Sequence, residues 1–347
     1  MSGAPGIGFG LVGTGSIADF HAWAIGQVDG AVLRAVSSRD AAKAGAFAAR
    51  HGTTAEPDLA ALLARPDVAV ICVTTPSGAH EEIALAALRA GKHVLCEKPL
   101  EISTARIDRM IAAARQGGRW LGAVLPARFS DGAQAMKRAV EQGRFGRLTL
   151  CSAQVKWWRS ADYYRSGGWR GTWALDGGGA LMNQGIHAVD LLQWLAGMPV
   201  QVSAFAATLG HEIEVEDTLT AALRFEHGAL GTLECATSCA PGAPRRIELC
   251  GTRGTATLED DRIVRWAFDA AQPGDETLLA GQGGSAANSG AADPRAIGVE
   301  GHRRVIADMV DALRQNRSPL VAGEEGRRAV ALIESIYAAA RTARSRG

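Results

Sequence analysis

The sequence predicts an α/β protein with a doubly wound parallel sheet in its N-terminal part. Behind it an α+β part with a large, mostly antiparallel open sheet is expected. Three observations carry this. Across residues 7–125, short β-branched runs alternate with amphipathic stretches, the rhythm of βα units. The first apolar run opens into a glycine turn, Gly13-Thr14-Gly15-Ser16-Ile17-Ala18, that leads into helical spacing. After Pro126, strand-like runs with one apolar side take over. The 347 residues exceed the roughly 250–300 at which a single core stops growing, so two domains are expected, residues 1–125 and 126–347.

Composition narrows the function classes. Lysine plus arginine (37) nearly cancels aspartate plus glutamate (36), which gives no support for nucleic acid or an anionic membrane as a partner. No apolar run reaches the length of about 18 residues that a membrane span requires, and the N-terminus lacks the pattern of a signal peptide. The cysteines at 72, 96, 151, 235, 239 and 250 are scattered and show no zinc spacing. They read as reduced thiols, which suits a cytoplasmic location, and no metal is expected.

Taken in order, Ile7–Val12 is a buried strand. Gly13 makes the tight turn, Gly15 lets backbone amides approach a pyrophosphate, and small Ala18 allows close helix–sheet packing. Ser16 and Ile17 open the helix whose free N–H groups face the anion. The strand Val32–Arg39 follows. Where NAD enzymes carry an acid for the ribose 2′-hydroxyl, this chain has Ser38-Arg39. A hydroxyl followed by a guanidinium suits a 2′-phosphate and favours NADP over NAD; Arg39 stacked on adenine would serve either, and Asp40 comes next. Helices Ala41–His51 and Asp58–Ala64 lead to the nearly continuous apolar strand Asp67–Pro76, which ends in the polar turn Thr74-Thr75-Pro76 facing the cofactor. His80 either meets the ribose–nicotinamide region or caps the helix Glu81–Ala90.

The strand His93–Cys96 then runs into Glu97-Lys98-Pro99. Pro99 forces the chain out of regular structure and biases Lys98 away from helical angles. An ammonium is thereby held at a strand tip, where chemistry sits in open α/β sheets. Low-dielectric walls bring such a lysine toward proton exchange near neutral pH. Glu97 either supports Lys98 or touches the nicotinamide ribose. The helix Ala105–Gln116 and the strand Trp120–Leu125 close this half.

In the second half a helix, Asp131–Gln142, precedes the strand-like runs Leu148–Trp158, Gln201–Leu209, Leu219–Phe225, Ala229–Ser238, Arg246–Cys250, Thr255–Glu259 and Ile263–Phe268. Glu226-His227-Gly228 reads as a hairpin turn. Lys156, Arg159, Tyr163, Tyr164, Trp169 and Arg170 form an aromatic and cationic loop cluster. Rings pack on sugar faces while Arg and Lys donate hydrogen bonds, so the cluster suits a polyhydroxylated ligand; an aromatic core or interface loop explains it equally well. The glycine-rich run from Asp176 leads into a helix ending near Ala196, where Asn183 and His187, four apart, share one face. An amide and an imidazole together can bind and deprotonate a hydroxyl. Residues 271–298 read as a mobile surface loop, followed by the helices Val299–Gln315 and Glu324–Arg344.

These motifs coincide in order. Through Gly13–Ala18, Thr75-Pro76 with His80, Glu97-Lys98-Pro99, Gly177–Asp190 and Val321–Tyr337, the chain resembles the Gfo/Idh/MocA family of oxidoreductases. The resemblance implies a Rossmann domain followed by an open-sheet α/β domain. It implies that Lys98 and His187 lie at the nicotinamide end of a cleft and handle the proton of a hydroxyl on a sugar, cyclitol or sugar derivative. It also implies a homodimer or homotetramer packed through the open sheet. Many members carry Asp where this chain has Asn183, which leaves Lys98 or His187 as proton acceptor and Asn183 as a substrate-orienting group. The alternative is a nucleotide-binding sensor, a Rossmann scaffold without catalysis.

Overall fold

The structure, a computed structural model, describes residues 6–280, Ala291 and residues 298–344. The described chain divides into two compact units. Helices and strands are numbered along the chain.

The first unit runs to Pro126 and takes in residues 299–327. Its strands are β1 (Ile7–Val12), β2 (Ala31–Ser37), β3 (Thr54–Glu56), β4 (Val70–Val73), β5 (His93–Cys96) and β6 (Leu121–Ala123). They form one parallel sheet in the order β3-β2-β1-β4-β5-β6. Helices α1 (Ser16–Gly26), α2 (Ala41–His51), α3 (Leu59–Ala64), α4 (His80–Arg89) and α5 (Thr104–Gly117) make the crossovers. All four residues of β4 are buried, as a central strand covered on both faces requires. Strand order reverses between β1 and β4, which opens a crevice at their carboxyl ends. The expected strand Asp67–Pro76 pairs only over Val70–Val73, and β3, three residues long, has too short a pattern to read from sequence. Residues 299–327, expected in the second domain, pack in the first instead, because helix α10 (Glu300–Gln315) buries His302, Val305, Ile306 and Met309 and lies against α1.

The second unit begins with α6 (Asp131–Glu141), β7 (Leu148–Lys156) and α7 (Ala161–Arg165). A π-helical turn, Ala180–Gly185, runs into α8 (Ile186–Ala196). Strands β8 (Pro199–Ala207), β9 (Thr218–Phe225), β10 (Leu230–Ala236), β11 (Arg246–Gly251), β12 (Gly254–Glu259) and β13 (Arg262–Phe268) complete a seven-stranded sheet in the order β13-β12-β11-β7-β10-β9-β8. It is antiparallel except between β7 and β10. One face carries α6 and α8. In β9, Leu219, Ala221, Leu223 and Phe225 are buried there while Thr220, Ala222 and Arg224 face outward. Glu226-His227-Gly228 turns the chain into β10, with Gly228 at φ +89°.

Under the sheet, Arg128 and Asp190 form a bidentate pair at 2.8 and 2.6 Å, both about 1% exposed. Gln193 donates to the same carboxylate. Asp190 thus anchors α8. Removing one partner of such a pair would strand a buried charge at a cost of about 3–5 kcal/mol. Part of the stretch expected to be a mobile loop is the helix α9 (Asp275–Ala280), tied down by Arg144 and Trp266 on the Asp275 carboxylate; most of the remainder of that stretch lies outside the described residues. Helix α11 (Gly323–Arg344) crosses from one unit to the other after Arg327 and buries Ala329, Leu332, Ile333, Ile336, Tyr337 and Ala340. All six cysteines are free thiols. Among the described residues, no helix is long and apolar enough to cross a membrane.

Candidate active site

In the first unit, the residues expected to hold a dinucleotide gather at the carboxyl edge of the parallel sheet. Gly13 adopts φ +108°, and a Cβ there would sit 2.8 Å from the Thr74 carbonyl, so only glycine fits. Gly15 caps α1 without any side-chain hydrogen bond, and a Cβ built on it meets nothing within 4 Å. The space beside Gly15, at the start of α1, is therefore open, and the free N–H groups of a helix start suit a diphosphate. The Thr74 hydroxyl donates to the Val12 carbonyl at 2.9 Å and ties the β4 turn to the β1 turn. The buried hydroxyl oxygen of Thr75 has no protein partner among the described residues, and Pro76 begins the short 3-10 turn that follows. At the end of β2, Ser38 lies 3.5 Å from the Thr14 hydroxyl and accepts the Asp40 amide, Asp40 caps α2, and Arg39 is exposed.

Lys98 follows β5 on the same edge and is half-buried, joined to Pro99 by a cis peptide bond. Two neighbours require correction. Both ring nitrogens of His80, 1% exposed, lie 2.9 Å from backbone carbonyls, of Thr75 and Pro99. A neutral His80 ring donates to only one of the two, but both nitrogens face these carbonyls and neither is turned toward a cofactor. Glu97 is 5% exposed, its carboxylate taken up by His21, His302 and the Lys98 amide, so it supports Lys98 instead of reaching a ribose.

In the second unit, Asn183 sits in the π-helical turn and His187 in the first turn of α8. The expected α-helical face is widened at this point, since a π-turn changes the angle per residue. Asn183 donates to Asp176 at 2.6 Å, and Asp176 in turn accepts the Gly171 amide at 2.9 Å. This fixes the amide's orientation, with its nitrogen toward the carboxylate. His187 is half-buried. Gln184 donates to the Tyr163 hydroxyl at 3.0 Å, and Arg170 stacks over the rings of Tyr163 and Trp169 at 4.7 and 5.1 Å. Three expected substrate residues have other work. Tyr164 is buried on Thr237, Arg159 is 3% exposed and donates to the carbonyls of Trp158 and Ala291, and Lys156 pairs with Glu234 on the sheet. The Arg159 guanidinium is thereby taken up inside the loop, whereas the Lys156 pair is a surface one.

Residues 7–123 match the family described as "Oxidoreductase family, NAD-binding Rossmann fold", and residues 133–257 match the "GFO/IDH/MocA C-terminal domain". The chain belongs to the Gfo/Idh/MocA family of oxidoreductases. It is 32% identical over 269 residues to inositol 2-dehydrogenase 2 of Saccharopolyspora erythraea, covering 76% of this chain and 75% of that one. It is 31% identical over 252 residues to 1,5-anhydro-D-fructose reductase of Ensifer adhaerens, covering 71% and 74%. Among solved structures it resembles the WlbA dehydrogenase of Bordetella pertussis in complex with NADH and UDP-GlcNAcA, with a TM-score of 0.89, 35% identity and coverage of 98% and 96%. As a member of this family the chain is an NAD-binding oxidoreductase.

Sequence reasoning missed several residues that shape this oxidoreductase's site. His21 and His302 carry no motif signal, and Asp176 was visible only as the start of a glycine run. Glu216, on the approach to β9, accepts the amides of Gly179 and Leu181 at 3.0 and 2.9 Å and the Tyr337 hydroxyl at 2.9 Å, pinning the start of the Asn183 turn. Gly179 must be glycine, because a Cβ there would lie 1.7 Å from the Glu216 carbonyl oxygen. Burial pushes the Glu216 carboxyl up from 4.5 to about 7, against the lowering by those three donors. The folded state then keeps a proton that the unfolded chain has already lost, so stability falls as pH rises from about 4.5 to about 7, by up to about 3 kcal/mol. Glu216→Gln should remove this component. Melting curves across that window should show the wild type losing stability relative to the variant; parallel curves would contradict the assignment.

Proposed function

We propose that the chain is an NAD(P)-dependent dehydrogenase or reductase acting on a hydroxyl or carbonyl carbon of a sugar, cyclitol or sugar derivative. Lys98 and His187 handle the proton and Asn183 orients the substrate. The observation that carries the reading is the carboxyl edge of the parallel sheet, where an uncapped α1, the Thr75 hydroxyl and Lys98 lie on one rim. The relatives named for inositol, anhydrofructose and UDP-GlcNAcA support the substrate class.

A bound nicotinamide dinucleotide supplies the hydride-accepting or hydride-donating carbon. The chain's own residues do the rest. The Gly13–Ile17 turn binds the diphosphate through backbone N–H groups. Lys98, as neutral amine, takes the hydroxyl proton on oxidation; as ammonium it returns the proton and stabilises charge on oxygen. His187 either shares that exchange or hydrogen-bonds the oxygen. Tyr163, Trp169 and Arg170 offer rings and a guanidinium to a polyhydroxylated ligand. Exposed Arg39 keeps NADP beside NAD as a candidate, and titrations with NADH and NADPH read the preference.

Myo-inositol and UDP-GlcNAcA with NAD or NADP, and 1,5-anhydro-D-fructose with NADH or NADPH, form the first panel, followed by dinucleotide absorbance. Lys98→Met should lower turnover by about a hundredfold or more while NADH affinity stays within about threefold. Near-wild-type turnover in that variant would sink the role of Lys98. NADH binding without turnover of any compound in an extended sugar panel would favour the sensor.

The outer face of the seven-stranded sheet supports a homo-oligomer, dimer or tetramer. Phe205, Leu230 and Leu150 stand 72%, 52% and 46% exposed on it, and Leu230 pairs directly with Leu150. Light scattering at micromolar concentration should give at least twice the 36.2 kDa chain mass, and a monomer mass would remove this reading.

A further inference from the structure

A buried cluster in the first unit takes no direct part in the chemistry above. His21 on α1, Glu97 after β5 and His302 on α10 are 1%, 5% and 4% exposed. His21 Nε2 lies 2.8 Å and His302 Nε2 3.5 Å from the same oxygen, Glu97 Oε1. The other oxygen, Oε2, accepts the Lys98 amide at 3.1 Å. The Nδ1 atoms of both rings are buried without a hydrogen-bond partner among the described residues.

Two imidazoles and a carboxylate, with ligand atoms within 4.8 Å of one another, are also a donor set for a divalent cation. The Nδ1 atoms decide against that use. A ligating Nε2 would put each ring's proton on Nδ1, as a buried donor with no acceptor, whereas metal-bound histidines give that N–H to a carbonyl or carboxylate. With the protons on Nε2, both rings donate to Glu97, and only bare lone pairs are left unmatched, the less costly orphan. Burial alone would raise the Glu97 carboxyl, but the His21 and His302 hydrogen bonds hold it well below the usual range. Burial also lowers His21, keeping it neutral. The other groups around Glu97 bring no compensating cation. Burial lowers His80 on α4 against the raising effect of the Thr75 and Pro99 carbonyls and of Glu97, Cys72 on β4 and Cys96 on β5 are thiols raised by burial, and Glu101 is paired with Arg106. With both rings donating as neutral imidazoles, the charge of the cluster is that of the Glu97 carboxylate, one residue from Lys98.

We propose that Glu97, clamped by His21 and His302, is a positioning residue for Lys98: it fixes the Lys98 backbone through its amide and holds the side-chain amine protonated to higher pH. The role rests on the function proposed above for Lys98, but its charge effect is measurable without turnover. An opposite charge held on the preceding residue shifts a protonation midpoint by on the order of one pH unit.

Trinitrobenzenesulfonate reacts only with neutral amines, so its labelling rate at Lys98, read by peptide mass spectrometry against pH, gives the midpoint directly. Lys43, Lys92, Lys137 and Lys156 serve as internal references. Glu97→Gln should lower the Lys98 midpoint by about one pH unit and leave the references in place. Glu97→Asp, which keeps the charge, and His302→Leu, which keeps the carboxylate, should not lower it. NADH affinity and melting curves check that each variant is folded; should Glu97→Gln fail to fold, the other two variants decide. An unmoved midpoint in folded Glu97→Gln, or a fall in Glu97→Asp or His302→Leu, would overturn the proposal. So would a stoichiometric transition metal, found by elemental analysis and lost in His302→Leu. Undiminished turnover in Lys98→Met would instead remove the function assigned to Lys98 and leave the charge effect standing.

Discussion

A carboxylate out of water must be met by hydrogen-bond donors, and Glu97 imposes that demand at the heart of the first unit. It stands at the end of β5, too deep to be served by solvent. One donor, His21, comes from α1, the first crossover helix, and another, His302, from α10, far down the chain. The third is the backbone of Lys98. This one charge thus ties together the helix that starts at the glycine turn, the strand that ends in Glu-Lys-Pro, and a helix that would otherwise belong with the second unit. It acts beside the apolar face of α10, which holds residues 299–327 in this unit.

The second unit uses the same device three times. Asp176 orients Asn183, Glu216 gathers the amides at the start of the π-turn, and Asp190 pairs with Arg128 beneath α8. Each carboxylate is buried and meets two or more donors, so none is an orphaned charge. The turn and helix that carry Asn183 and His187 are therefore held from three sides by polar contacts. In the first unit His80 does comparable work for the turns at Thr75 and Pro99.

What was legible in the sequence followed from local rules. The strand, Gly13–Ala18 turn and α1 are consecutive, so their chemistry is readable without knowing the fold. The β9–β10 hairpin announces itself through Glu226-His227-Gly228 and the alternation on either side. Lys98 was legible as a group aimed by Pro99. The roles of Glu97 and His80 were not, because their partners are set by tertiary packing and not by spacing. The aromatic loop illustrates the same limit. Its composition suits a sugar, yet Arg159, Tyr164 and Lys156 are used internally, and only the fold shows which of the cluster remain available. The π-turn at Ala180–Gly185 was hidden because apolar periodicity does not distinguish it from an α-helix start.

The proposed function puts the dinucleotide's diphosphate in the space in front of Gly15. Gly15 has φ −72° and ψ 176°, values open to any residue, and a Cβ there touches nothing, so Gly15→Val should fold normally while its side chain fills the seat. The most direct measurement is an NADH fluorescence titration of that variant beside the wild type, with melting temperatures for both. Affinity should weaken by about a hundredfold or more with little change in Tm, a loss of about 3 kcal/mol of binding. Unchanged NADH affinity in the folded variant would contradict it.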